Sequence, residues 1–164
     1  MSRNLCQYIP ALIYMLIPLA LEGIAVSQER IKLVDTGVIF SGEQVAQFAE
    51  IPYMFELTPP FWTPTEEEVA HLEGKLRPYL EGVTIADARA IAAELGSYKR
   101  QYLGYTDGGK KWILVNGFCE RHWRGDDSWH DSVVFVFDGG RCLFHVRYDL
   151  SRSQFEQLEI NKDS

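Results

Sequence analysis

The sequence predicts an α+β domain in which two helices are followed by a curved antiparallel β-meander of four to five strands. Two stretches between residues 65 and 96 combine helix-start signals with apolar residues at helical spacing. From Tyr98 onward, β-branched and aromatic residues alternate with turn signals. Asp-Gly-Gly followed by a basic residue occurs twice in that region, which is typical of tight hairpins.

A signal peptide is expected ahead of this domain, at residues 1–27. Arg3 precedes an apolar run over residues 8–21, and Ala-Val-Ser at residues 25–27 has the small-x-small pattern of a cleavage site. A retained anchor is the alternative, but the apolar run is shorter than the ~20 residues of a spanning helix. We therefore expect cleavage, a single α+β domain over residues 28–164, and a periplasmic or secreted location.

The charge of the chain restricts its partners. The 164 residues carry a formal net charge of −7, and removal of the signal peptide takes away one Arg and one Glu, which leaves that charge unchanged. We therefore expect no nucleic acid and, after signal cleavage, no membrane as partner, but rather another protein or an envelope component of neutral, cationic or apolar character. The chain contains no GxSxG, HExxH, P-loop or dinucleotide motif, and no cofactor is expected.

Three segments precede the main helices. "RIKLVDTGVIF" (residues 30–40) has the β-branched content of a strand, and "SGEQVAQFAE" (41–50) is consistent with a helical turn. "IPYMFELTPPFWTP" (51–64) contains four prolines and four aromatic residues, which favours an extended strap packed on the core. A proline-aromatic binding surface is the functional alternative for this strap.

Two helices are predicted, over residues 66–77 and 85–95. Pro78 should end or bend the first helix, and Gly96 is a natural residue to terminate the second. Each helix begins with a capping box: Thr65 with Glu68, and Thr84 with Asp87.

The strands are predicted to follow the helices and to be joined in part by glycine turns. Gly108–Gly109 and Gly139–Gly140 supply the two positive φ angles that a type I′ turn requires. The resulting outline resembles cystatin-like and nuclear-transport-factor-like folds, which host inhibitors, binding modules and enzymes. The predicted strands cover residues 98–106, 110–118, 132–138, 141–149 and 155–160. The turns would pair Tyr105 with Trp112, and Phe135 with Phe144.

A family resemblance rests on these hairpin residues. The stretches "YKRQYLGYTDGGKKWILVNGFC", "DGGRCLFHVRYDL" and "FEQLEINKDS" resemble small uncharacterised exported proteins of Gram-negative bacteria. The resemblance covers the C-terminal two-fifths of the chain. It implies export and carries over neither an activity nor a site.

Cys119 and Cys142 are the cysteines of the expected mature domain, and whether they form a disulfide stays open. A pair left over in an exported domain usually forms a disulfide. In a sequential meander, however, Cys142 faces Phe137 near one end of the sheet and Cys119 lies near the other. At about 3.3 Å per residue and about 4.8 Å per strand, this exceeds the ~7 Å limit for a bridge. A disulfide would need a different strand order or an early break at Gly117.

The connection "CERHWRGDDSWHD", from Cys119 to Asp131, is the strongest candidate for function. It is about as long as structureless loops become in compact domains, and such loops are often functional. Residues 120–131 contain two Trp, two Arg and two His, and Trp and Arg are enriched in binding hot spots. The candidate binding residues are Arg121, His122, Trp123, Arg124, Trp129 and His130.

Four interpretations of this loop stay open. As a zinc site it offers Cys119, His122 and His130, although two histidines eight residues apart are no dependable zinc signature. As a catalytic site it offers imidazoles beside carboxylates for acid–base chemistry. As a recognition loop it would use Trp123 and Trp129 as anchors. As a solvated loop it would fold both tryptophans back over the core.

The remaining histidines fit structural roles. His145 is expected opposite Val134, half-buried on the sheet face away from Phe135 and Phe144. His71 is expected on the surface of the first helix.

These patterns favour an exported, non-enzymatic binding or accessory protein of the inhibitor, immunity or envelope-interaction type that uses residues 120–131. The alternative is a small hydrolase or metal-assisted enzyme built on His122, His130 and nearby acids. Convergence of both imidazoles and a carboxylate in a concave pocket would favour the enzyme.

Overall fold

The strands form one sheet, a meander with a parallel strand added at one edge. They are β1 (Gly37–Ile39), β2 (Lys99–Asp107), β3 (Lys110–Phe118), β4 (Leu143–Asp149) and β5 (Gln154–Ile160). The strands lie in the sheet in this same order; β1 is parallel to β2, and all other neighbours are antiparallel. The predicted α+β class with a largely antiparallel sheet is therefore confirmed.

The computed structural model describes residues 36–51 and 55–161. The expected signal peptide, residues 1–27, lies outside the described residues, as does most of the expected strand over residues 30–40. None of the helices in the described part of the chain combines the length and the apolar character that a membrane span requires.

The described segments contain three α-helices, one more than predicted. They are α1 (Gly42–Ala49), α2 (Glu66–Gly82) and α3 (Ala86–Glu94). Helix α1 lies where only a helical turn was expected, and it begins with a capping box of Ser41 and Gln44. Val45 of this helix is completely buried. A short amphipathic helix is therefore stabilised by packing as well as by its cap.

Helix α2 is longer than predicted. Its capping box of Thr65 and Glu68 is present, but the helix continues past residue 77 and includes Pro78. Proline in a helix interior costs about 3 kcal/mol because a backbone hydrogen bond is lost. The last turns also bury Leu80 completely in the core, and this burial outweighs the local penalty.

Helix α3 begins without the predicted capping box. Its N-cap is Ile85, which makes no side-chain cap hydrogen bond, so the predicted pair of Thr84 and Asp87 is wrong. Gly96 directly follows the C-cap residue Leu95, as predicted, and lies within a 3-10 turn, Leu95–Ser97. Helix α3 is therefore stabilised by the burial of its apolar residues, among them Ala88 and Ile91, without a side-chain cap at its N-terminus.

The first Asp-Gly-Gly turn forms the predicted hairpin. Gly108 and Gly109 have φ angles of 55° and 74°, and Asp107 lies opposite Lys110. Behind the turn, Tyr105 pairs with Trp112 as expected. The need for two positive φ angles is a local requirement, which is why the sequence predicts this hairpin correctly.

The second Asp-Gly-Gly is not a hairpin turn. Residues 132–138 form no strand, Gly140–Cys142 is a 3-10 turn, and only one glycine of the pair has a positive φ angle. Strand β4 pairs directly with β3 instead. The predicted pairing of Phe135 with Phe144 is therefore wrong, because β3 has one free edge on that side and β4 occupies it.

Helices α2 and α3 cover the first face of the sheet. Their buried residues, among them Leu72 and Ile91, pack against sheet residues such as Val115 and Val146. An internal ion pair fastens α2 to this face: Arg100 Nε lies 2.9 Å from Glu73 Oε1, and Arg100 is only 4% exposed. The first face is therefore closed.

The second face is covered by α1, by the strap and by residues that follow β3. The described part of the strap contains no helix, and it follows the edge of β2 beyond β1. Trp62 N–H donates to the Gly104 carbonyl oxygen (3.1 Å), and Thr106 N–H donates to the Thr58 carbonyl oxygen (3.2 Å). The Trp62 indole N–H also donates to the Tyr105 carbonyl oxygen (2.9 Å), which ties the strap to the sheet.

Candidate functional site

Residues 119–142, here called the excursion, leave the sheet after β3 and return at β4. Cys119 and Cys142 form a disulfide with a Cα–Cα distance of 5.0 Å, and Cys119 N–H donates to the Cys142 carbonyl oxygen (2.9 Å). The sequential meander had placed these residues too far apart. Because β4 lies beside β3, with Phe118 opposite Leu143, both ends of the excursion meet at one point.

Two buried side-chain amides tie the excursion to the sheet. Gln101 and Asn116 are direct cross-strand neighbours, 0% and 2% exposed. Gln101 Nε2 donates to the carbonyl oxygens of Trp129 (2.7 Å) and Ser132 (2.9 Å). Its Oε1 accepts from Val134 N–H (2.9 Å) and from Asn116 Nδ2 (3.0 Å). Side-chain amides thus bind the backbone of the excursion in place of the backbone groups of a neighbouring strand. This part of the excursion therefore lies across the sheet face and not beside a strand.

The two tryptophans of the excursion pack against the sheet. Trp129 is only 4% exposed and contacts Phe118 with 5.9 Å between ring centroids. Trp123 is half-buried, and the Lys99 ammonium lies 4.8 Å from its ring centroid and 5.6 Å from that of Trp129. This is the arrangement that the folded-back interpretation describes. That Trp123 and Trp129 bind a partner stays a prediction.

Each histidine of the excursion has its own partner. The His122 ring accepts a hydrogen bond from Arg121 Nε at its Nε2 (3.1 Å), while burial and the Arg121 charge lower the pKa of His122. His130 Nδ1 lies 3.0 Å from the Asp127 carbonyl oxygen, and its ring stacks on Trp129. Within the described segments, neither imidazole is hydrogen-bonded to a carboxylate.

Two arginines of the excursion, Arg121 and Arg124, lie on its outer surface. Arg121 also donates to the Gly139 carbonyl oxygen, and Arg124 pairs with Glu120. Both side chains and His130 are exposed. The thiolate that the zinc interpretation requires is absent because Cys119 is part of the disulfide, and no group of His, Cys, Asp and Glu in the described residues is arranged to hold a metal ion.

A cleft lies beside the excursion on the second face, over β4 and β5. Its volume is about 370 Å³, within the usual range for small-molecule sites. Three phenylalanines form its apolar wall: Phe55 from the strap, and Phe135 and Phe137 from the excursion. The polar residues that line it are Glu56, His145, Arg147, Glu159 and Asn161.

His145 lies in this cleft rather than opposite Val134. It pairs in register with Asn116 on β3 and with Glu159 on β5. Its Nε2 lies 3.2 Å from Glu159 Oε2, and its ring contacts Phe55 with 5.5 Å between centroids. Burial lowers the pKa of His145, and the Glu159 carboxylate opposes this effect.

Arg147 lies two residues further along β4 on the same face. Its guanidinium carbon lies 5.7 Å from the centroid of the Tyr105 ring. Burial raises the pKa of Tyr105 to about 12, although the Arg147 charge acts in the opposite direction. The register partner of Arg147 is Glu156, but the carboxylate of Glu156 binds Arg152 instead.

Sequence reasoning missed the cleft. Its walls come from four segments, around residues 55, 136, 146 and 160, and only the tertiary structure brings these together. The one local signal is polar alternation on a strand, where His145 and Arg147 point to the same face.

Comparison of the chain with protein-family models, with curated protein sequences and with solved structures finds no match. The geometry of the excursion and the cleft therefore carries the functional argument.

Proposed function

We propose that the protein is an exported, non-enzymatic binding or accessory protein of the inhibitor, immunity or envelope-interaction type, and that the excursion presents its recognition surface. The observation that carries this proposal is the fixation of a long irregular segment. The disulfide spans a sequence separation of 23, and the Gln101 and Asn116 amides hold the segment from below. A surface that is ordered before binding loses less conformational entropy on association.

The charged side chains on the outside of the excursion support a recognition role. Arg121, Arg124 and His130 are exposed, whereas Trp129 is buried against Phe118 and stacks on the His130 ring. Recognition over residues 120–131 therefore uses the arginines and His130, with His122 and Trp123 at the margin. Arginine is well suited to this because its planar group forms several directed hydrogen bonds.

Export and the resemblance to small exported proteins of Gram-negative bacteria belong to the same proposal. The disulfide supports a periplasmic or secreted location, because disulfides persist in oxidising compartments. The cystatin-like or nuclear-transport-factor-like outline is also proposed here, supported by two helices that cover one face of a meander. Sequencing of the mature N-terminus tests export: it should begin at Gln28, and an intact N-terminus would contradict cleavage.

Affinity capture from a Gram-negative envelope extract tests the recognition surface. We expect the wild-type protein to retain a specific partner and the double variant Arg124→Ala/His130→Ala to lose it. Arg89→Ala is the matched control, because Arg89 is exposed on α3 at the opposite face. Equal retention by the double variant and the wild type would contradict the proposal, provided that both melt at the same temperature.

A hydrolase or metal-assisted enzyme built on His122 and His130 has less support. The two imidazoles bind different partners, and convergence with a carboxylate is the geometry that such chemistry requires.

A further inference from the structure

The cleft beside the excursion offers an apolar wall of aromatic rings. The rings of Phe55 and Phe135 meet edge to face at 5.6 Å between centroids, and those of Phe135 and Phe137 at 5.0 Å. Phe137 leaves 76% of its surface exposed at the mouth of the cleft. An apolar side chain of a ligand that covered these rings would remove this exposed surface from water.

Arg147 provides a positive charge inside the cleft. The side chain is half-buried, and no carboxylate within the described segments lies within 4.0 Å of its guanidinium. Burial lowers the pKa of the neighbouring His145, which favours its neutral form, whereas a guanidinium stays charged. A guanidinium in such a position is suited to a carboxylate, which it binds through two parallel hydrogen bonds.

Two carboxylates, those of Glu159 and Glu56, supply negative charge to the lining of the cleft. Glu159 is 64% exposed at its side chain, and Glu56 is exposed at the rim. Glu159 is the register partner of His145, two residues from Arg147 on β4, and a β-bulge between His145 and Arg147 interrupts the regular pairing with β5.

We propose that this cleft binds a small zwitterion with an apolar side chain, which is a free amino acid or a short peptide. Its carboxylate pairs with Arg147, its ammonium group faces Glu159 and Glu56, and its side chain covers the phenylalanines. A purely anionic ligand would meet the two glutamates, and a purely cationic ligand would meet Arg147. This proposal is independent of the recognition role of residues 120–131, since none of these residues lines the cleft.

Calorimetry with three related probes tests the charge requirement. L-Phenylalanine carries both charges, 3-phenylpropionate only the negative one and phenethylamine only the positive one. We expect L-phenylalanine to bind at least about tenfold more tightly than either analogue, because each loses one charge-assisted contact. Tighter binding of the dipeptide Gly-Phe than of L-phenylalanine would assign the site to peptides, and the reverse would assign it to free amino acids.

Variants of the cleft identify the pairing groups. Arg147→Met should lower the affinity for L-phenylalanine about tenfold and leave the affinity for phenethylamine unchanged or higher. Glu159→Gln should also lower the affinity for L-phenylalanine about tenfold, but leave the affinity for 3-phenylpropionate unchanged or higher. Arg89→Met and Glu81→Gln, at exposed sites on the helices, are the matched controls. Arg147→Lys keeps the positive charge and should retain part of the affinity if Arg147→Met proves unstable.

Three results would overturn the inference. They are no binding of L-phenylalanine or Gly-Phe at millimolar concentration, equal binding of a single-charge analogue, and equal affinity in the cleft variants and the controls. The excursion variant Arg124→Ala/His130→Ala should bind L-phenylalanine as the wild type does, so failure of this proposal and failure of the recognition proposal are distinguishable.

Discussion

The Gln101 amide is the most sensitive point in the attachment of the excursion. The substitution Gln101→Leu keeps a side chain of similar size and removes all four of its hydrogen bonds. Four groups then lose a hydrogen bond: the carbonyl oxygens of Trp129 and Ser132, the N–H of Val134 and the Nδ2 of Asn116. The excursion should detach from the sheet before the rest of the protein unfolds.

The expected loss of stability follows from the burial of these groups. A buried polar group without a partner costs roughly 1–3 kcal/mol. Trp129 and Gln101 are buried, but Ser132 is exposed and Val134 half-buried, so water can replace part of what is lost. We expect a decrease of roughly 2–4 kcal/mol in the free energy of unfolding, a large part of the 5–15 kcal/mol typical of a domain.

Urea unfolding and hydrogen exchange measure this effect. In the wild type the Val134 amide should be protected from exchange, and in Gln101→Leu it should exchange rapidly. Gln154→Leu is the matched control on the exposed side of β5, and it should change the stability by less than about 0.5 kcal/mol. A loss below about 1 kcal/mol in Gln101→Leu, with Val134 still protected, would refute the view that the amides hold the excursion.

Three further changes have defined outcomes. Replacing Cys119 and Cys142 by Ser opens a loop with a sequence separation of 23 and should cost about 3.4 kcal/mol in urea unfolding; a loss near zero would contradict the chain-entropy argument. Gly104→Ala places a Cβ 2.3 Å from a backbone oxygen of the strap and should lower stability by about 1–3 kcal/mol, so an unchanged melting temperature would show that the strap moves freely. Burial lowers the pKa of His145, so the neutral form contributes its full stability above about pH 6.5, and this contribution is lost as the pH falls. His145→Gln should therefore flatten the decrease in melting temperature between about pH 7 and 5, and the control His71→Gln should not. Parallel profiles of His145→Gln and the wild type would contradict the assignment.

Burial of Trp129 changes the interpretation of the loop between β3 and β4. The residue types in positions 120–131 indicated a functional segment, but residue type alone does not distinguish a Trp that binds a partner from one that packs on Phe118. Trp129 takes the second role in the structure. The solvent exposure of the Trp side chain distinguishes these two roles, and this exposure depends on neighbours that are distant in sequence.

The histidines also show that residue type alone does not predict which side chains meet. His122 and His130 lie close in sequence yet bind separate partners, whereas His145 lies close to Glu159 and to the wall of the cleft. Strand pairing creates the second arrangement, so a search of one loop cannot find it.

What the sequence determined by itself is local. The hairpin at Gly108–Gly109 follows from the φ angles that its turn requires, and the start of α2 follows from side chains that cap it within one helical turn. The tertiary structure alone decided that β4 pairs with β3, that Cys119 meets Cys142, and that Gln101 holds the excursion across the sheet. Local signals depend on a few dihedral angles, whereas strand partners are chosen by competition between distant segments for the same hydrogen-bonding edge and the same apolar face.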